Sequence, residues 1–233
     1  MVIPVAYYLH RRGVTNSYLD STADAPDRDA IRRWATRSLM KRGIWGSGLD
    51  TMLAGLRKTI DENGSGGFPV KALEETMASA GKSLAFDDAE IDELLGLKYG
   101  HARTFTVLAT LYPGLDFSRA IHEDHFFPKS MFTPSKFVAQ GVPADQVPQF
   151  CDRVNLLPNL QLLAGTVNQE KLNALPADWM DAAFSNPQQR TAYEQDNDLD
   201  GLPLGLADFL SFFEQREQRM RQRLQAALST QTR

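Results

Sequence analysis

Residues 121–130, IHEDHFFPKS, place His122, Asp124 and His125 within four positions of a chain that holds four histidines in all. Further on, NLLPNLQLLAGTVNQEK carries Asn159, Asn168 and Lys171. Carboxylate and amide oxygens are hard ligands suited to one Mg²⁺ or Mn²⁺ ion, which takes few protein ligands and keeps several waters. An imidazole beside such an ion can remove a proton from water at neutral pH. Together these groups make a minimal apparatus for phosphodiester hydrolysis, in which the cation offsets charge growing on the phosphate and the leaving oxygen. The spacing has a physical logic if AIHEDHFF and NLQLL are paired strands and TVNQEKLNAL is a helix packed across them. Asp124, His125 and Asn168 would then converge at one end of the unit, and one helical turn would bring Lys171 to the side of Asn168. Glu123 should alternate to the strand face opposite Asp124, and it is left out of the site.

The elements that must position these residues are mostly helical. DRDAIRRWATRSLMKRG starts with Asp27 as a cap, sets Ile31, Trp34, Ala35 and Leu39 on one face and stops at Gly43. LDTMLAGLRKTIDENGSGG repeats the pattern with Leu49, Met52, Leu53, Leu56 and Ile60 before a glycine-rich turn. Shorter helices are expected over 70–80, 88–97 and 101–112, and a long closing helix from Gly205 onward. Residues 117–185 break this periodicity, with short apolar runs bounded by Pro, Asn and Gly, as a small hairpin requires. The expected organisation is a helical segment over 1–116, a hairpin-and-helix unit over 117–185 and a closing helical segment over 186–233. The fold class is therefore α+β, mostly α-helical.

The bulk numbers narrow the function further. A chain of 233 residues with 42% hydrophobic and 23% charged content is an ordinary globular one. Its single cysteine, Cys151, excludes an internal disulfide framework and a cysteine-ligated zinc site, which makes a reducing cytoplasm the simplest compartment. The opening MVIPVAYYLH is too short to span a bilayer and reads as a buried element rather than a signal or anchor. Net charge is −4, yet local fields matter more than the sum. Between Asp27 and Arg42 six basic residues stand against two acids, making Arg32, Arg33, Arg37 and Lys41 candidates for contact with a DNA backbone, with the closing helix as a second candidate. Three motifs fail on inspection. GKS at 81–83 lacks the earlier glycine of a phosphate loop, having Thr76 there. DNDLDG and DENGSGG open like calcium loops, but Ala207 and Ala72 stand where a bidentate Glu is needed.

The order D-H, then N-L-x-L-L, then N-x-x-K resembles the HNH nucleases with a ββα-metal fold. HEDHFFPKS with NLLPNLQLLAGTVNQEKLNALPADW is similar, more closely, to the C-terminal HNH module of GmrSD-type modification-dependent restriction enzymes, and the lead-in VIPVAYYLHRRG…IRRWATRSLMKRGIWGSGLD is similar to the segment before that module. The resemblance implies that His125 is the general base, Asp124 and Asn168 hold the metal, Asn159 braces the loop and orients the base, and Lys171 faces the phosphate. His122 would be a substrate or second-sphere contact. It also implies a DNA endonuclease of bacterial defence against foreign or phage DNA, and an N-terminal NTPase or DNA-sensing domain outside this chain. A homodimer is one way for a one-metal site to cut both strands. The rival reading is a helical DNA-binding or subunit-docking module that keeps the HNH framework without cutting.

Overall fold

The structure, a computed structural model, describes residues 1–116 and 118–229, apart from the side chains of Thr166, Asn168 and Gln169. By its internal contacts the chain divides into two compact units, Met1–Phe86 together with the residues from Leu228 onward, and Asp87–Ala227. The expected segments 117–185 and 186–233 thus fall largely in one unit, which begins with helices that precede residue 117.

The first unit holds four helices, α1 (Val2–Arg12), α2 (Ala25–Met40), α3 (Leu49–Asn63) and α4 (Val70–Ser79). Tyr8, Trp34, Leu56, Phe68, Leu73 and Met77 form its core, with Trp34 edge-on to both Trp45 and Phe68. Two expectations change here. The opening stretch is helical, but it buries only Pro4 and Tyr8, leaving Val2 and Ile3 exposed. In α2, Leu39 is exposed and Arg37 takes an inward position on the face of Trp34, pairing with Glu74 and donating from Nη2 to the Leu84 carbonyl at 2.8 Å. An arginine can occupy such a place because its aliphatic stem packs and its fork finds acceptors.

Asp27 does not cap α2. Tertiary donors claim it instead: Tyr8 Oη at 2.9 Å and the Phe68 amide at 2.6 Å reach Oδ1, while Tyr18 Oη at 2.7 Å and Arg12 Nη1 at 2.5 Å reach Oδ2. Burial would raise its pKa, but Tyr18, the Phe68 amide, Tyr8 and the charge of Arg12 outweigh it and lower it from 3.8. Burial and the same carboxylate push Tyr8 up to about 12, against the hydrogen bond from Arg12.

The second unit is built around a two-stranded antiparallel sheet of β1 (Ile121–His125) and β2 (Leu160–Ala164), with α5 (Asp88–Leu95) and α6 (Thr104–Leu111) before it. Between the strands lie α7 (Pro134–Ala139) and α8 (Val147–Arg153). After them come α9 (Gly165–Lys171), α10 (Pro176–Ala183), α11 (Pro187–Asp196) and α12 (Phe209–Leu228). An Asp87–Glu90 capping box starts α5 by satisfying two otherwise orphaned amides. The fold is mostly helical α+β, and the strand–strand–helix order expected from the sequence is present.

Register is fixed by the apolar pattern. His125 faces Leu160 and Ile121 faces Ala164, and Leu160, Leu162 and Leu163 are all buried. Immediately after β1, Phe126 and Phe127 enter an aromatic core, Phe126 stacking on Phe212 at 5.2 Å and Phe127 lying edge-on to Phe209 and Phe212. The Phe-Phe pair is the anchor of the strand end. Among the described residues no helix is long and apolar enough to cross a membrane.

Candidate active site

Strand alternation gives neighbouring side chains on β1 different surroundings. His125 is half-buried, stacked on Tyr99 with ring centroids 4.7 Å apart and planes 25° from parallel. Its Nε2 donates to Asn155 Oδ1 at 3.0 Å. An acceptor at Nε2 places the ring proton there and leaves the lone pair on Nδ1. Burial lowers the His125 pKa from 6.5, opposed by the Asn155 hydrogen bond and the Asp124 charge and assisted by Lys129 and Lys171. Burial thus favours the uncharged imidazole, the form that can accept a proton.

The neighbours of His125 come from a pairing that lies outside the hairpin. Residues 97–99 run beside 155–157: Leu157 donates to the Leu97 carbonyl at 2.9 Å, and Tyr99 donates to the Asn155 carbonyl at 2.8 Å. Asn155 therefore fixes Tyr99 through its backbone and His125 through its side chain. Glu123, on the His125 side of β1, accepts from the Gly100 amide at 2.8 Å and ties the same segment down.

Asp124 looks elsewhere. Its Oδ2 accepts from Nε2 of Gln161, its register partner, at 3.0 Å and from Lys171 Nζ at 2.9 Å. Gln161 is itself oriented by Tyr193, whose hydroxyl donates to Oε1 at 2.9 Å. Burial raises the Tyr193 pKa, so this phenol stays protonated. Lys171 differs from expectation: its side chain is fully buried, with Nζ on Asp124 and on the His125 carbonyl at 2.7 Å, and it does not face solvent where a phosphate would arrive. Burial lowers its pKa from 10.5, against the pull of Asp124. The physical reason is that a lysine at the end of α9, which packs on both strands, has a carboxylate and a strand-end carbonyl within reach.

Asn159 sits at the entry to β2 and bonds the chain leaving β1. Fully buried, its Oδ1 accepts from the Phe127 amide at 2.9 Å, and its Nδ2 donates to the carbonyls of Phe127 at 3.1 Å and Val154 at 2.8 Å. The Phe126 amide donates to the Asn159 carbonyl at 2.7 Å. The chain leaving His125 is thereby held by both backbone and side chain of one residue. Behind it stands Arg216 of α12, fully buried, whose Nη1 donates to the carbonyls of Pro158 at 2.9 Å and Leu160 at 3.0 Å. Its guanidinium lies over the rings of Phe126, Tyr112 and Phe212.

Asn168 lies on α9, one turn before Lys171, and its side chain is outside the described residues. His122 is exposed, its Nε2 3.2 Å from where a Cβ on Gly165 would stand, so glycine at the β2–α9 junction leaves room for the ring. In the first unit Arg32 and Arg33 are exposed, Arg32 beside Asp29, whereas Arg37 is buried and Lys41 bonds the Ala85 carbonyl and lies over the Phe86 ring.

Among the described residues no three His, Cys, Asp or Glu side chains gather as a metal-binding group. Asp124 offers one hard ligand, since Oδ1 takes part in neither bond to Gln161 or Lys171. One carboxylate oxygen, on a side chain that is only partly buried, fits an ion such as Mg²⁺ that retains most of its waters. Comparison of the sequence with protein-family models finds no match, and neither does a search of curated proteins. The motif and its geometry carry the functional reading.

Sequence reasoning missed Tyr99, Asn155, Gln161 and Tyr193. Only Gln161 had a signal, as the polar residue between leucines facing Asp124 across the hairpin.

Proposed function

We propose that the chain is a metal-dependent HNH-type endonuclease that hydrolyses phosphodiester bonds in DNA. The observation that carries this reading is His125 stacked on Tyr99 and pinned through Nε2 by Asn155 so that Nδ1 is the acceptor, at a strand end where Asp124 directly precedes it. His125 takes the proton from an attacking water. Asn155 holds the resulting imidazolium in place, and the Asp124 charge stabilises it. Asp124, through Oδ1, and Asn168 would hold a Mg²⁺ or Mn²⁺ ion. When bound, that ion supplies charge neutralisation at the phosphate. Lys171 serves as a positioning residue, tying the Asp124 carboxylate to the His125 carbonyl. Arg32 and Arg33 are the exposed cations left from the basic helix for contact with a DNA backbone. A cytoplasmic defence role against foreign DNA, in concert with a sensing or NTP-using domain, completes the proposal.

The pairing of Asp124 with a buried ammonium favours the rival, a DNA-binding or docking module that does not cut, because that carboxylate is already neutralised. Nicking of supercoiled plasmid with Mg²⁺ or Mn²⁺ separates the two. Nicking abolished by chelator and by His125→Ala supports the endonuclease. Nicking that survives His125→Ala, or none with either metal, overturns it.

A further inference from the structure

Tyr99 is 49% exposed although it sits on a tightly held backbone. Its own amide is bonded to Asn155, and the next amide, Gly100, is bonded to Glu123. One ring contact, with His125, is nearly parallel at 4.7 Å. A large aromatic group kept open to solvent on a rigid segment is not explained by core packing. It does meet the requirement for a stacking platform, which needs a fixed ring and an accessible surface.

We propose that Tyr99 stacks against a nucleobase next to the phosphate addressed by His125, so that the site prefers DNA whose bases are unstacked, such as a single strand or a loop, over continuous duplex. The inference rests on the endonuclease reading and names its substrate class. The geometry is restrictive in a useful way. Because the Tyr99 ring already lies on the imidazole, a base added to it would extend a short stack that ends at the catalytic ring. Bases inside a duplex are stacked on their neighbours and cannot join without being unpaired, which costs free energy that a single strand does not have to supply.

The test uses the full chain, a labelled single-stranded oligonucleotide, its duplex, and the same strand carrying one abasic position stepped along it. Binding is followed by fluorescence anisotropy with Ca²⁺ as the divalent ion, and cleavage with Mn²⁺. Wild type should bind the single strand more tightly than the duplex and lose about tenfold when the abasic position reaches one particular nucleotide. Tyr99→Ala should weaken binding to the intact strand by a similar factor and abolish the abasic effect. Tyr99→Phe, which keeps the ring and removes the hydroxyl, should restore both. Equal weakening of Tyr99→Ala on intact and abasic strands, or no weakening, overturns the stacking role, as does a complete lack of binding by wild type. Tyr99-dependent binding without His125-dependent cleavage would sink the endonuclease reading and leave the platform standing. Cleavage that depends on His125 but is indifferent to Tyr99 would do the reverse.

Discussion

Asp27 in the first unit and Asp124 in the second are both carboxylates withdrawn from solvent, with side chains 8% and 17% exposed. They differ in how their oxygens are used. Asp27 spends both, on two phenols, an amide and a guanidinium, and it fastens α1, α2 and the Phe68 turn together. Asp124 places its two bonds on Oδ2 alone. A saturated carboxylate is a fastener with nothing left to offer a substrate. A half-used one has ligand capacity in reserve, and under the proposed function the difference between structure and chemistry lies in that reserve rather than in burial.

The sharpest break in the comparison should come from His125→Ala, which is expected to reduce plasmid nicking by about 10²–10⁴-fold, the usual weight of a general base, with unchanged circular dichroism. Asp27→Ala should do the opposite. It strands two hydroxyls, an amide and a guanidinium, and should cost about 3–5 kcal/mol in urea unfolding while the folded fraction keeps its specific activity. Loss of activity per folded molecule would move Asp27 into the chemistry and erase the contrast. Asn159→Ala stands between the two, losing three hydrogen bonds. A cost of about 2–3 kcal/mol together with reduced nicking is expected, and a drop in only one of the two would show that the brace is not coupled to the base.

Acid titration sharpens the same contrast. The folded His125 takes its proton below 6.5, so its contribution to stability is complete above that value and is lost as pH falls through the window beneath it. Nicking should accordingly decline as pH falls through a window centred below 6.5; a decline centred above 6.5 would contradict the burial argument. Asp27, with its pKa lowered from 3.8, contributes fully above 3.8, and that contribution vanishes only as pH falls through the lowered value. The smallest effect belongs to Arg32→Glu with Arg33→Glu. Stability should stay within about 0.5 kcal/mol, and the salt dependence of DNA binding should flatten if these cations meet phosphates.

The hairpin and its helix were legible because each is encoded locally. Leu160, Leu162 and Leu163 declare a strand, Phe126 and Phe127 anchor its partner, and Asn159 is the polar residue at the entry to β2. The surroundings of His125 were not. Asn155 and Tyr99 meet only because 97–99 pairs with 155–157, a contact between segments with neither periodicity nor alternation to announce it. Rules based on periodicity place Asp27 at a helix start and Leu39 in the core, whereas tertiary donors capture the first and Arg37 takes an inward place on the same helix. The alternation that set Glu123 apart from Asp124 also gives His125 a different set of neighbours from Asp124, so adjacency in the motif does not mean a shared pocket.

Arg216 carries one more consequence. The cation that props the entry to β2 is contributed by the last helix, more than fifty residues after the strand it supports. A polypeptide interrupted between Lys171 and Arg216 would possess every letter of the motif and lack its footing. The fold thereby makes the setting of β2 depend on a helix that is synthesised well after the strand itself.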